Sequence, residues 1–261
     1  MLKQLIPNFL TALNILSGCI GIALAFFGNL HLASFCILIS SLLDFMDGQT
    51  AKWLNAQGEF GKELDSLADL VSFGVLPAVL IFIYMSNTDC SICTGSNDFQ
   101  WAAYTAFFIT IFSALRLAKF NIDTGQKDDF IGLPTPANAI FIASLPLVIE
   151  YGAENHTIFQ LTHYLVNSFT SLLILTIVSS ALLVIPLQML SLKFKSYKIK
   201  ANLIRYILIL VSLIIFILYG FTAIPLIIIF YIFLSIISYI VKPILVVTDK
   251  SPEKPGKNNK N

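Results

Sequence analysis

Runs of about 20 mostly apolar residues, the length that crosses a bilayer as a helix, recur along this chain with short polar breaks between them. Eight such runs can be read, at roughly 9–27, 32–54, 66–86, 100–120, 137–152, 166–187, 203–220 and 223–245. The fifth is short, and the last two are parted only by a tight turn near Gly220, so six or seven spans also fit. No segment alternates with the period of a strand, and no internal repeat is visible. The pattern predicts an all-α integral membrane protein, a helical bundle of about eight transmembrane spans occupying residues 1–245. Residues 246–261 are polar and rich in Lys, Pro and Asn, unable to bury apolar surface, and are expected to form a disordered cytoplasmic tail.

Composition agrees with that reading. Of 261 residues, 57% are hydrophobic and 12% charged, against roughly 45–50% and about 25% for a soluble domain. The net charge of +1 is uninformative, but the placement of charge is not. With the N-terminus inside, the breaks at 28–31, 87–99, 153–165 and 221–222 fall outside and contain no Lys or Arg. All 16 basic residues then lie at or near the cytoplasmic face, as the positive-inside rule requires. His31, His156 and His163 fall outside. The start MLKQLIPN lacks a basic region followed by a cleavage site, so the first run is expected to remain as a span. Cys19 and Cys36 lie in apolar runs as small hydrophobes. Cys90 and Cys93 form a single C-x-x-C, compatible with a local disulfide or two thiols and weak as a metal site.

Against this apolar background, one acidic cluster stands out. The second run ends in Asp44, Asp47, Gly48, Ala51 and Lys52; the third begins with Gly61, Asp65 and Asp69. Separations of three and four place Asp44 with Asp47, and Asp65 with Asp69, on single helix faces. Two antiparallel helices joined by a short loop would gather all four carboxylates near the membrane surface. Charges there repel and are costly to ionise, and a divalent cation relieves both problems. Oxygen ligation without His or Cys points to Mg²⁺, Mn²⁺ or Ca²⁺ rather than zinc. Two ions bridged by these carboxylates would clamp a phosphoryl group. Ordinary interfacial acids pairing with Lys52 and Lys62 would explain one or two of the four, but not the set. An ion-coupled transporter would carry its acids near mid-membrane beside broken helices, whereas these lie at span ends.

The spacing Asp44-x2-Asp47-Gly48-x2-Ala51-Lys52-x8-Gly61-x3-Asp65-x3-Asp69 resembles the signature of the CDP-alcohol phosphotransferases. Lys52 stands where that family usually has Arg, keeping the charge but losing the bidentate fork. Further segments resemble its integral-membrane serine-specific branch, the phosphatidylserine synthases. They are Ile6-Pro7-Asn8-x2-Thr11-x2-Asn14, Ser66 to Val75, Arg116-Leu117-Ala118-Lys119-Phe120-Asn121 and Phe130 to Pro136, with a weaker echo at Leu190 to Lys195.

This resemblance implies metal-dependent transfer of a phosphatidyl group from CDP-diacylglycerol to L-serine, releasing CMP. It implies that Asp44, Asp47, Asp65 and Asp69 hold divalent metal, Mg²⁺ or Mn²⁺ and two ions in number, and that Asp69 is also the general base. Gly48, Ala51, Lys52 and Gly61 would line the CDP site. Arg116, Asn121, Asn8 and Thr11 would contact the acceptor or a lipid phosphate, although Asn8 and Thr11 after Pro7 also suit a helix start. Partners would be CDP-diacylglycerol, L-serine, membrane lipids and a second copy of the chain in a homodimer, with no nucleic acid. The location would be the inner (cytoplasmic) membrane, multi-pass, with both termini and the active site on the cytoplasmic side. Glycerol 3-phosphate, inositol or choline as acceptor would keep the acidic motif and change the region Arg116 to Pro136.

Overall fold

The computed structural model describes residues 2–89, 101–122, 130–154, 156–190 and 199–248. Cys90, Cys93, most of the Leu190 to Lys195 echo and the tail beyond Thr248 lie outside these residues. Helix α1 spans Leu2–Phe26 and α2 Leu30–Trp53. The turn between them depends on Gly28 at φ +82°, a left-handed position that glycine adopts without strain. Asn29 N donates to Leu24 O at 2.9 Å and Gly28 N to Ala25 O at 3.0 Å, which closes the end of α1 as a Schellman cap. The same device ends α2. Asn55, at φ +48°, is a left-handed residue that is not glycine, and Ala56 N reaches Ala51 O at 2.9 Å. Asn tolerates this region because its short polar side chain bonds locally.

Helix α3 (Glu59–Asp69) runs into a π-helical turn, Leu70–Val75, and then into α4 (Leu76–Ser86). A 3₁₀ segment, Trp101–Phe107, leads into α5 (Phe108–Ile122). There follow α6 (Thr135–Tyr151), α7 (Thr157–Val166), α8 (Phe169–Val184), α9 (Ile199–Tyr219) and α10 (Ala223–Thr248). The expectation of no strand is modified only slightly. The two-residue segments β1 (Phe130–Ile131) and β2 (Gln188–Met189) pair antiparallel, clipping the entry of α6 to the exit of α8.

Among the described residues, five helical segments are long and apolar enough to cross a membrane, or six if α7 and α8, bent by 94°, count as one. The eight expected runs differ from this for local reasons. The fifth is α6, only 17 residues between Pro134 and Gly152; at 1.5 Å per residue it falls short of a full hydrocarbon core. The last two pass as one 38-residue segment, Asn202–Tyr239, broken at Gly220 with φ +56°. Leu208 and Tyr231, on either side of that break, share one buried cluster, so the two arms meet.

Apolar side chains such as Leu16, Ile20, Ile39, Ile111, Ile174 and Ile217 point outward, as lipid-facing residues do. Cys19 is also exposed, whereas Cys36 is buried, so only one of the two takes the interior place expected of both. Lipid tails are as apolar as leucine, so close fit and hydrogen bonds must hold the helices together. A Cβ at Gly18 would meet Ser72 Oγ at 2.5 Å, and one at Gly21 would meet Leu76 Cδ2 at 2.5 Å. These two glycines let α1 sit directly against the π-turn and α4. Ser72 Oγ donates to Asn14 O at 3.0 Å and Ser17 Oγ to Cys36 O at 3.0 Å across the same contacts. At the opposite end of the bundle, His31 stands 3.8 Å from Glu150 beside the rings of Phe35, Tyr151 and Phe221, an arrangement suited to a membrane–water interface.

Candidate active site

The loop Leu54–Gly58 turns the chain from α2 into α3, and α1 packs against both helices. Between them lies a cleft of about 230 Å³, continued by a second recess of about 230 Å³ past Gln4 and Phe60. The expected nucleotide residues Gly48, Ala51, Lys52 and Gly61 all line it. Among the described residues nothing requires glycine at position 48: a Cβ there would meet none of their atoms within 4 Å. The space above it belongs to the cleft. A Cβ at Gly61 would stand 3.3 Å from Asn8 Oδ1, so that glycine also keeps α3 close to α1.

Carboxylate oxygens of Asp44, Asp47 and Asp65 lie within 4.8 Å of one another, one ligand atom from each. Asp44 and Asp65 are within hydrogen-bonding range of each other. Two carboxylates so close require a shared proton or a cation between them. Asp47 Oδ2 accepts from Thr11 Oγ1 at 2.7 Å, and that hydroxyl also stands 3.0 Å from Pro7 O. Thr11 therefore orients one acid from the neighbouring helix. Asp65 Oδ1 and Asp69 Oδ1 are buried with no hydrogen-bond partner. Unpartnered buried acceptors next to further carboxylates fit a divalent ion bound by oxygen. Asp69 is only 9% exposed and is not one of the three acids that converge. It lies one turn deeper on α3, within electrostatic reach of Asp44, Asp65 and Arg116.

The four expected acceptor residues separate. Asn8 and Thr11 line the same cleft as Gly48 and Lys52; Arg116 and Asn121 do not. Asn121 Nδ2 donates to Ser66 Oγ at 2.9 Å, and Lys62 Nζ donates to Asn121 O at 2.9 Å. Asn121 thus clasps the end of α5 to α3. Arg116 projects from α5 towards α6, where its Nη1 donates to Thr135 Oγ1 at 3.0 Å while Nε is buried without a partner. Thr135 is held by the preceding loop. Gly132, at φ +76°, donates from N to Leu187 O at 2.8 Å, and Leu133 N donates to Leu182 O at 2.8 Å. A Cβ at Gly132 would approach Leu183 O to 2.4 Å, so the chain can pass there only as glycine.

Two features are invisible to helical spacing. The π-turn after Asp69 adds a residue to the helix, and it turns Ser72 towards α1 and Gly74 towards α5. The cleft also includes Gln57, Gly58 and Lys62, which belong to the loop and first turn rather than to the acid spacing.

Comparison with known proteins gives the family. The CDP-alcohol phosphatidyltransferase family matches residues 4–241. A CDP-diacylglycerol–serine O-phosphatidyltransferase of Helicobacter pylori is 32% identical over 212 residues, 80% of each chain. The Bacillus subtilis protein of the same name is 37% identical over 139 residues, 50% of this chain and 69% of that one. An archaetidylserine synthase of Methanothermobacter thermautotrophicus is 35% identical over 150 residues, 56% of this chain and 59% of that one.

Proposed function

Because the chain belongs to the CDP-alcohol phosphatidyltransferase family, we propose that it transfers the phosphatidyl group of CDP-diacylglycerol to L-serine, giving phosphatidylserine and CMP. The observation that carries this reading is the convergence of Asp44, Asp47 and Asp65 within 4.8 Å, with Asp47 and Asp65 on the wall of the cleft. The Helicobacter pylori and Bacillus subtilis relatives, each named a CDP-diacylglycerol–serine O-phosphatidyltransferase, support serine as the acceptor.

Asp44, Asp47, Asp65 and Asp69 would hold divalent metal, Mg²⁺ or Mn²⁺ in two ions, whose charge offsets that of the pyrophosphate and activates its phosphorus towards attack. Lys52 and the bare backbone at Gly48 and Gly61 receive the cytidine diphosphate, with Asn8 and Thr11 on the facing helix. The serine hydroxyl attacks the phosphorus that carries diacylglycerol. A new O–P bond forms, the anhydride bond to CMP breaks, and the hydroxyl proton passes to the Asp69 carboxylate. Arg116 binds the acceptor from the far side of Asp69, while Asn121 positions α3 against α5.

The cleft lies at the end of the bundle that carries Lys52 and Lys62, opposite His31 and Glu150, which supports a cytoplasmic active site in an inner-membrane protein. Lipid chains then stay in the bilayer while nucleotide and serine arrive from water. The family also supports a homodimer, to be read from the mass of the detergent-solubilised protein. Purified protein with CDP-diacylglycerol, Mn²⁺ or Mg²⁺ and each acceptor in turn, followed by CMP release, tests the central reading. Release with L-serine is expected. Release only with glycerol 3-phosphate, inositol or choline would replace the acceptor, and no release with any acceptor would remove the enzyme reading.

A further inference from the structure

Beyond Asp69 the polar interior continues away from the nucleotide cleft. Ser113 sits one turn before Arg116 on α5, fully buried, with its Oγ unpartnered. Gly74 of the π-turn packs against it: a Cβ there would stand 3.2 Å from Ser113 Cβ. Arg116 reaches Thr135 on α6, and Asn138 follows Thr135 by one turn on the same face. Asn138 is 1% exposed; its Oδ1 accepts from Ser179 Oγ on α8, and its Nδ2 has no partner. Three helices and the π-turn therefore enclose a seam that begins at Asp69 and ends at Ser179.

Two of the unpartnered atoms in this seam, Arg116 Nε and Asn138 Nδ2, are donors, and Thr135 lies between their residues. Among lipid-facing helices an unsatisfied donor is costly, and it is tolerated where a ligand completes it. A charged guanidinium bonded to Thr135 and a neutral amide one helical turn on from Thr135 suit a carboxylate. The ordering is set by Ser179, which occupies the amide oxygen of Asn138 and leaves its NH₂ as the free end. We propose that Asn138 is an acceptor-binding residue that, with Arg116, grips the carboxylate of the amino-acid acceptor, so that the acceptor hydroxyl faces Asp69. This rests on the reading that the acceptor is serine.

The test uses the full chain in detergent with CDP-diacylglycerol and Mn²⁺, comparing L-serine with L-serinamide, which keeps the hydroxyl and amine and lacks the carboxylate. The wild type should favour serine. Asn138→Ala should raise the KM for serine about tenfold or more, while the KM for CDP-diacylglycerol and the rate with serinamide stay within about twofold. Asn138→Asp, nearly isosteric, should lose serine further and keep serinamide, because a carboxylate would then face a carboxylate. If serine and serinamide fall together, or the KM for CDP-diacylglycerol rises, Asn138 merely joins α6 to α8 and the proposal is wrong. A wild-type enzyme that uses both acceptors equally would overturn it without any variant. Should the wild type ignore serine and use another acceptor, the underlying assignment has failed instead, and the two failures are thereby told apart.

Discussion

The acidic cleft and the seam behind it are both polar sites inside an apolar bundle, but they are built in opposite ways. The cleft draws its acids from two consecutive helices joined by a five-residue loop, with Asn8 and Thr11 of α1 facing them. Its acids crowd one another, so a shared proton or a cation has to stand between them. The seam draws Ser113 and Arg116 from α5, Thr135 and Asn138 from α6 and Ser179 from α8. Arg116 donates to Thr135 and Asn138 accepts from Ser179, while one donor on each stays unpartnered. The first is a charge problem that the proposed metal would solve, the second a hydrogen-bonding problem that the proposed acceptor would solve. One enzyme that must hold a pyrophosphate and choose an alcohol needs both.

The largest effects should come from the cleft. Asp65→Asn removes one of the three converging carboxylates and should lower turnover by about 10²–10³-fold or more, on the scale of losing one element of transition-state stabilisation. Metal dependence sharpens this. Mn²⁺ at about 100 times its dissociation constant should stabilise the wild type by roughly 2.7 kcal/mol, read as a rise in Tm that EDTA reverses. Asp65→Asn should show little of that rise. In EDTA its Tm should equal or exceed that of the wild type, because the substitution relieves like-charge repulsion. Retained turnover with an unchanged metal-induced rise would remove Asp65 from the metal site.

Gly48→Val examines the same wall without touching charge. Nothing lies within 4 Å of its Cβ position, so folding should be affected only by local propensity, well under about 1 kcal/mol. The side chain would instead occupy the cleft, and the KM for CDP-diacylglycerol should rise about tenfold or more. A large fall in Tm with an unchanged KM would mean that the glycine serves the fold. Thr11→Val, which removes the hydroxyl 2.7 Å from Asp47, should cost about tenfold in kcat/KM, a typical value for a hydrogen bond to a charged group.

The two regions also differ in what a reader of the sequence can see. Asp44, Asp47, Asp65 and Asp69 sit at helical spacings within 26 residues, so one short hairpin is enough to gather the first three, with Asp69 one turn beyond. Gly48, Ala51, Lys52 and Gly61 come with them for the same reason. Asn138 and Ser179 are separated by 41 residues and lie in apolar runs where each looks like a stray polar residue. Only tertiary packing pairs them. The π-turn after Asp69 has no signature in apolar spacing, yet it determines which residues of that span face α1 and which face α5. Span limits are legible where the punctuation is local: the fifth run, short in the sequence at 137–152, is α6, 17 residues between Pro134 and Gly152.

Asn121 is where cleft and seam come nearest to being confused, and it offers the finest distinction between them. Its sequence neighbour Arg116 suggests a role at the acceptor, but its amide is engaged by Ser66 and its carbonyl by Lys62. Asn121→Ala deletes only the first of these bonds, because the carbonyl belongs to the backbone. The remaining Lys62 contact should keep α3 and α5 together, so stability should fall by about 0.5–1.5 kcal/mol. The KM for serine and for CDP-diacylglycerol should drift together by no more than about threefold, since a looser α3 carries Asp65 and Asp69 with it. A selective rise in the serine KM, with CDP-diacylglycerol and Tm unmoved, would mean that Asn121 turns from its clasp to meet the acceptor. The seam would then extend to the end of α5, and the boundary between the two sites would have to be redrawn there.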